Sequence, residues 1–296
     1  MSLTLTADRP PTAGATAAML AGAPHRIGGV TLVVNDLERI TDFYAGAIGL
    51  TVLDRSADGA RLGVGGVTLV ALRHDPAARR ATPAEAGLFH TAFLLPERAD
   101  LSAWLRHAAA MRVPLEGASD HGVSEALYLA DPETNGIEIY VDRPAAAWPR
   151  DANGIAMATE RLDVQALAAA SDRPWSGFPS AGQVGHVHLR VGKIAPAEAF
   201  YGGVLGFDVV CRYPGAAFFG SGGYHHQFAS NIWGSHDAGR RSGAVTGLAE
   251  VEVVTAPEKI EAARERAAPG AVLADAPGRL TLLNPWGTPI ALVARS

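Results

Sequence analysis

The chain has 296 residues, of which 48% are hydrophobic and 19% charged, with a formal charge of −5; this balance suits a packed globular protein long enough for two domains. The net negative charge offers no long-range attraction for nucleic acid, and no apolar run approaches the ~20 residues of a membrane span. A single cysteine, Cys211, excludes an intrachain disulfide and fits a reducing cytoplasm, so a cytoplasmic protein with a small-molecule partner is expected.

Residues 1–24 are rich in Ala, Thr and Pro without hydrophobic period and lack the basic start and apolar core of a secretory signal; they read as a flexible arm. From 28 the pattern changes. "GGVTLVVNDLERITDFYAGAIGL" (28–50) opens as a period-2 strand and passes to an amphipathic stretch ending in Phe-Tyr before an Ile-Gly stop. Three short strand-like segments follow, "LTVLDRS", "GARLGVG" and "VTLVALR", giving a βαβββ unit. A second unit runs from "GLFHTAFLL" to "DPETNGIEIYVD" (87–142). Residues 144–180 carry Pro, Gly and Trp without a strand pattern and read as a long linker. "GHVHLRVGKIAPAEAFYGGVLGF" (185–207) then repeats 28–50 at a constant offset of 157, with identities that include Gly28/Gly185, Val34/Val191, Tyr44/Tyr201 and Gly49/Gly206. A fourth unit covers 247–294. Four βαβββ units therefore form two halves, 25–143 and 181–296, an α+β class.

"FYxxxxG" after the first strand, "DPETNGIEIY" and "YHHQF" resemble the vicinal-oxygen-chelate (glyoxalase/bleomycin-resistance/dioxygenase) superfamily and, within it, two-domain extradiol enzymes of the catechol-2,3-dioxygenase type. The resemblance spans 25–295. It implies two glyoxalase-like domains in which paired units form cups of curved sheet, with a metal held by a histidine from one unit and a histidine and a glutamate from its partner. Two imidazoles and one carboxylate leave positions open for a diol and dioxygen.

Placed on each half, that pattern is incomplete. The first half has His90 and Glu138 but Gly29 at the other histidine position; the second has His186 but Glu250 and Ala291 where the remaining two donors belong. The deficits are complementary, so unit two is expected to pair with unit three, within one chain or across a homodimer. His90, Glu138 and His186 are the expected metal ligands, Fe(II) the expected ion, and Mn(II) a second ion the same donors accept. A self-contained rival is His186, His226 and Glu250, against which Glu250 and Glu252 share a strand face that solvation explains equally well.

By the same resemblance "YHHQF" is a last strand, on which His226 is favoured over His225 as the acid/base residue, facing inward with Tyr224, with direct coordination by His226 as the alternative. His121 and Tyr128 correspond to residues that hydrogen-bond the substrate. His188 shares a face with His186 and either lines the pocket or packs. His25, His74, His107 and His236 read as solvated. The implied activity is ring cleavage of a catechol- or hydroquinone-like diol by O2. A metal-dependent isomerase or thiol transferase, or a non-catalytic binder of small ligands, would use the same scaffold.

Overall fold

The computed structural model describes residues 14–152 and 154–295. Unit one supplies β1 (His25–Val34), β2 (Thr51–Arg55), β3 (Gly59–Val64) and β4 (Val67–His74); unit two supplies β5 (Gly87–Leu95), β6 (Gly117–Asp120), β7 (Ser124–Ala130) and β8 (Gly136–Asp142). Unit three contributes β9 (Gln183–Arg190), β10 (Asp208–Tyr213), β11 (Ala216–Gly220) and β12 (Phe228–Asn231), and unit four β13 (Gly247–Thr255), β14 (Val272–Ala276), β15 (Arg279–Leu283) and β16 (Pro289–Ala294). Two curved sheets result. One is ordered β14-β15-β16-β13-β1-β4-β3-β2, from units four and one; the other is β6-β7-β8-β5-β9-β12-β11-β10, from units two and three, extended beside β6 by residues 160–161. The exchange of units is thus made inside a single chain, through the antiparallel pairing of β5 with β9.

Helices fill the space behind the strands. In the helix Arg98–Ala110, Glu97 and Asp100 form a capping box, and Leu101, Trp104, Leu105 and Ala108 bury one stripe at helical spacing. The two Phe-Tyr motifs end the helices Leu37–Phe43 and Ile194–Glu198 in wider, π-type turns. Both tyrosines are fully buried, and each reaches the turn before the last strand of the following unit: Tyr44 Oη lies 3.5 Å from Asp131 Oδ2, and Asn284 Nδ2 donates to Tyr201 Oη at 3.2 Å. The "DPETN" turn is closed by Asp131 Oδ1, which accepts from the backbone of Glu133 and Asn135.

The structure adds local detail to the expected arm, linker and last strand. Of the arm, residues 1–13 lie outside the described residues, while residues 14–22 form a helix, α1 (Gly14–Gly22). Leu20 docks on an apolar cluster with Leu94, Tyr140, Trp148 and Tyr224, because the concave face of the second sheet leaves those side chains uncovered. The linker is not structureless: residues 150–151 pair with 154–155, Leu167 is buried on the short helix Val164–Ala168, and Trp148, Ile155 and Phe178 are also buried. "YHHQF" is not a continuous strand. Residues 221–227 make a turn, and β12 begins only at Phe228.

That turn is braced by the chain's beginning. His25 N–H donates to Ser221 Oγ (3.1 Å), His25 O accepts from Ser221 Oγ (3.1 Å) and Gln227 Nε2 (3.0 Å), and Gly222, at φ +64°, lies against Ala23 closely enough that a Cβ would collide. His25 is therefore not solvated: its ring is fully buried over Phe207, and among the described residues neither nitrogen has a hydrogen-bond partner. His74 and His107 bond backbone carbonyls and are part-buried or exposed, and His236 is exposed. Among the described residues, no helix is long and apolar enough to cross a membrane.

Burial first, and then the positive charges of Lys259 and Arg295, pushes the His25 pKa from its ordinary 6.5 down to about 4. The unfolded chain binds this proton more readily than the folded one, so stability falls as pH drops from about 6.5 through 4, by up to about 3 kcal/mol. Urea unfolding at pH 7 and pH 4.5 is expected to show that loss in the native protein and a smaller one in His25→Gln; equal losses would remove His25 from this role.

Candidate metal centre

Three neighbouring strands of the second sheet carry the expected donors. Ala92 on β5 is opposite His186 on β9 and beside Glu138 on β8, while His90 lies two residues before Ala92 and so on the same face. The small side chain of Ala92 lets the longer side chains on either side converge. His90 Nε2 is 3.0 Å from Glu138 Oε2, His186 Nε2 is 3.3 Å from the same oxygen, and the two Nε2 atoms are 3.3 Å apart. Each of the three residues is at most 6% exposed.

This set fits a divalent ion. Donors held about 2.1 Å from a common centre stand about 3.0–3.4 Å apart in octahedral or tetrahedral arrangement, the spacing found here. A fully desolvated carboxylate between two imidazoles also needs positive charge. Burial works to raise the Glu138 carboxyl, but His186 and His90 outweigh it and hold its pKa well below the usual carboxylate range. The His186 pKa, in turn, is lowered to about 4, first by burial, so its imidazole is neutral, the form in which it can act as a ligand. Among the described residues, these three are the group of His, Cys, Asp or Glu side chains close enough to hold an ion.

The rival set is not assembled. Glu250 stands on β13 in the other sheet, where Arg279 binds it at 2.6 Å and Glu252 at 3.0 Å. There the row equivalent to His186–Ala92–Glu138 reads Gly29–Glu252–Ala291, which offers no imidazole.

His226 lines the cavity above the donors, its ring centroid 4.1 Å from that of His186. Because the histidine pair sits in a turn, strand alternation does not apply: Tyr224 points away from the cavity with His225, their rings 4.1 Å apart, rather than inward with His226. A chain of contacts links them to a residue that sequence reasoning missed. Asp142 accepts from Tyr224 Oη (2.9 Å) and from His225 Nε2 (2.7 Å), and His225 Nδ1 meets His226 Nδ1 at 2.8 Å. A carboxylate only accepts, so His225 carries its proton on Nε2 and presents a lone pair at Nδ1. His226 must then carry its proton on Nδ1, leaving the Nε2 lone pair free. Burial, reinforced by the neighbouring imidazoles, pushes the His226 pKa well below its ordinary value, so the ring is neutral. The missed residue had a signal: Glu138, Tyr140 and Asp142 occupy alternate positions of β8 and share a face. Tyr140 closes the chain with its hydroxyl 2.9 Å from that of Tyr224.

On the other side, His121 Nδ1 donates to Ala158 O at 2.6 Å, which makes its Nε2 the acceptor for Tyr128 Oη, also at 2.6 Å. Tyr128 is opposite Glu138 in the β7–β8 ladder. Burial first, and then the Glu138 charge, raises the Tyr128 pKa well above its ordinary value, so it remains a protonated donor. His188 lines the cavity too, its Nε2 accepting from Asn231 Nδ2 at 2.9 Å.

Comparisons with known proteins agree with this architecture. Residues 26–139 and 183–272 match the model of the Glyoxalase/Bleomycin resistance protein/Dioxygenase superfamily. The chain belongs to this superfamily. A relative named catechol-2,3-dioxygenase, from Bacillus subtilis (strain 168), is 40% identical over 238 residues, covering 77% of this chain and 82% of its own. Maize glyoxalase I superposes with TM-score 0.58 at 17% identity over 93% of this chain and 94% of its own, and a provisionally assigned dioxygenase from Bacillus subtilis with 0.62 at 14% over 91% and 84%. The last two show the fold alone, two glyoxalase-like domains with curved sheets.

If the second sheet alone holds the ion, Glu138→Ala abolishes uptake of Fe(II) or Mn(II) measured by plasma emission after desalting. Glu250→Ala leaves uptake at about one ion per chain, because it breaks only an ion pair in the other sheet. The opposite result would return the site to the rival set.

Proposed function

We propose that the protein is a non-haem Fe(II)-dependent extradiol dioxygenase that opens the ring of a catechol-like diol with O2. The observation that supports this best is the buried His90–Glu138–His186 face, with a neutral base, His226, at its rim. The 40% identical relative named catechol-2,3-dioxygenase points the same way. His90, His186 and Glu138 would hold the ion; ferrous iron would supply the binding and activation of a vicinal diol and of dioxygen, and Mn(II) fits the same donors.

The chain's own part is positioning and proton transfer. The lone pair of His226 Nε2 takes a proton from a diol hydroxyl, and the positive charge that develops is shared through His225 with the Asp142 carboxylate. The same nitrogen returns the proton when the ring opens. His225 does not line the cavity; it acts through His226, as a positioning residue. Tyr128 Oη gives its one proton to His121 Nε2, so its oxygen lone pairs face the centre, where they can accept from a diol hydroxyl, and His121 fixes their direction. Phe89, Phe218 and Trp233 give the cavity an apolar wall beside the donors. An isomerase or thiol transferase on the same scaffold would not consume dioxygen, and a mere binder would not need a base with a fixed tautomer.

After anaerobic loading with Fe(II), catechol is expected to drive oxygen uptake on an electrode with formation of a yellow ring-opened product; no uptake with any vicinal diol would defeat the reading. His226→Gln is expected to lower kcat by about 10²- to 10⁴-fold with little change in KM. Asp142→Asn disturbs the tautomer of His225 and lowers kcat about 10-fold or more while metal content stays at the native level. Metal loss parallel to the loss of kcat would instead make Asp142 a folding residue.

A further inference from the structure

The donor floor and its acid/base residues account for only part of the cavity. Its volume is about 310 Å³, whereas a buried cavity of about 150 Å³ already accepts benzene. A single ring bound through two adjacent oxygens therefore leaves roughly half the space above the donors unfilled, and the side chains lining that half identify what occupies it.

An aromatic wall runs from the donors to the mouth. Phe89 lies 5.3 Å from His90 and 5.8 Å from Trp233, and Trp233 lies 6.5 Å from Tyr213, by ring centroids, the last two contacts edge-to-face. Phe218 extends it beside His226 at 5.1 Å. Trp233 and Tyr213 are each 49% exposed, yet Trp233 is not free to turn: its Nε1–H donates to Pro214 O at 2.9 Å and its backbone N–H to Asn231 Oδ1 at 3.2 Å. A large apolar ring held at a cavity mouth in fixed orientation is prepared for a ligand face. Val123 and Met157 add aliphatic surface, and the remaining polar lining away from the donors is the hydroxyls of Ser119, Ser124 and Thr159, the Cys211 thiol and the imidazoles of His121 and His188, whose ring nitrogens are engaged with Ala158 O and Tyr128 Oη and with Asn231.

Among the described residues, no lysine or arginine lines this cavity; its one carboxylate, Glu138, is committed to the ion. A carboxylate carried on the substrate ring away from the donors would be desolvated against Phe and Trp side chains with no lysine or arginine to pair with it, which is unfavourable. An uncharged alkyl or aryl group would bury its area in their place.

We propose that the site selects vicinal aromatic diols bearing an apolar alkyl or aryl substituent and rejects those bearing a carboxylate. This rests on the dioxygenase reading for its chemistry, but the selection itself is a property of the wall. Three diols separate the two: 3-phenylcatechol, catechol and 3,4-dihydroxybenzoate. With the Fe(II)-loaded enzyme, kcat/KM is expected to be about 10-fold or more higher for 3-phenylcatechol than for catechol, and about 10- to 100-fold lower for 3,4-dihydroxybenzoate than for catechol. Calorimetric Kd values measured under nitrogen, where no turnover occurs, are expected to rank the same way. Trp233→Ala is expected to lower kcat/KM for 3-phenylcatechol about 10-fold while that for catechol changes less than about 3-fold. Equal kcat/KM and Kd for the three diols, or preference for the carboxylated one, overturns the selection while oxygen uptake keeps the reaction. If no diol consumes oxygen but the anaerobic ranking holds, the reaction falls and the apolar selection stands.

Discussion

The antiparallel ladder between β5 and β9 is the interaction on which the site depends. It places strands from units two and three in adjacent rows, so that β8, β5 and β9 carry Glu138, Ala92 and His186 across one line of the sheet. A one-residue slip in that ladder would turn His186 to the opposite face and leave Glu138 with a single imidazole. Shape matters as much as register. Alanine in the middle position keeps the space between the outer donors open, and in the other sheet the same position holds Glu252, whose charge is taken by Arg279. Duplication thus supplied two equivalent rows, only one of which can coordinate.

The His225–His226 side depends on a turn rather than a ladder. Gln227 holds it from within, since its Oε1 accepts from the Ser221 backbone and its Nε2 donates to Ser221 O. Residues 23–25 hold it from without. Only with that turn fixed does His225 reach Asp142 and orient His226. The electrostatics are economical: one carboxylate, Glu138, faces the two imidazoles, and a second, Asp142, stands behind the His225–His226 pair, with Tyr140 between them on the same strand face.

Much of this was legible in the sequence because it is written in side-chain identity at strand period. The offset of 157 revealed the repeat, and the complementary deficits at Gly29, Glu250 and Ala291 required units two and three to meet. His90, Glu138 and His186 are brought together accordingly. What escaped reading depends on local geometry that period does not encode. Two consecutive positive-φ glycines, Gly222 and Gly223, end the strand pattern early, so the inward pairing of Tyr224 with His226 failed. Asp142 lay in plain alternation with Glu138, but an acidic residue at a strand end is ordinarily solvated, and only the position of His225 gives it a partner. His25 looked solvated because its burial comes from Phe207, far along the chain.

The segment joining the two halves has a double role. It is long enough to carry the chain from one sheet arrangement to the next, and on the way residues 157–159 form part of the cavity surface, with Ala158 O fixing His121. Connectors between repeats accept insertion and replacement more readily than paired strands do. Divergence among descendants of this architecture can therefore proceed by editing the tether, reshaping what is admitted while the inherited coordination chemistry stays untouched.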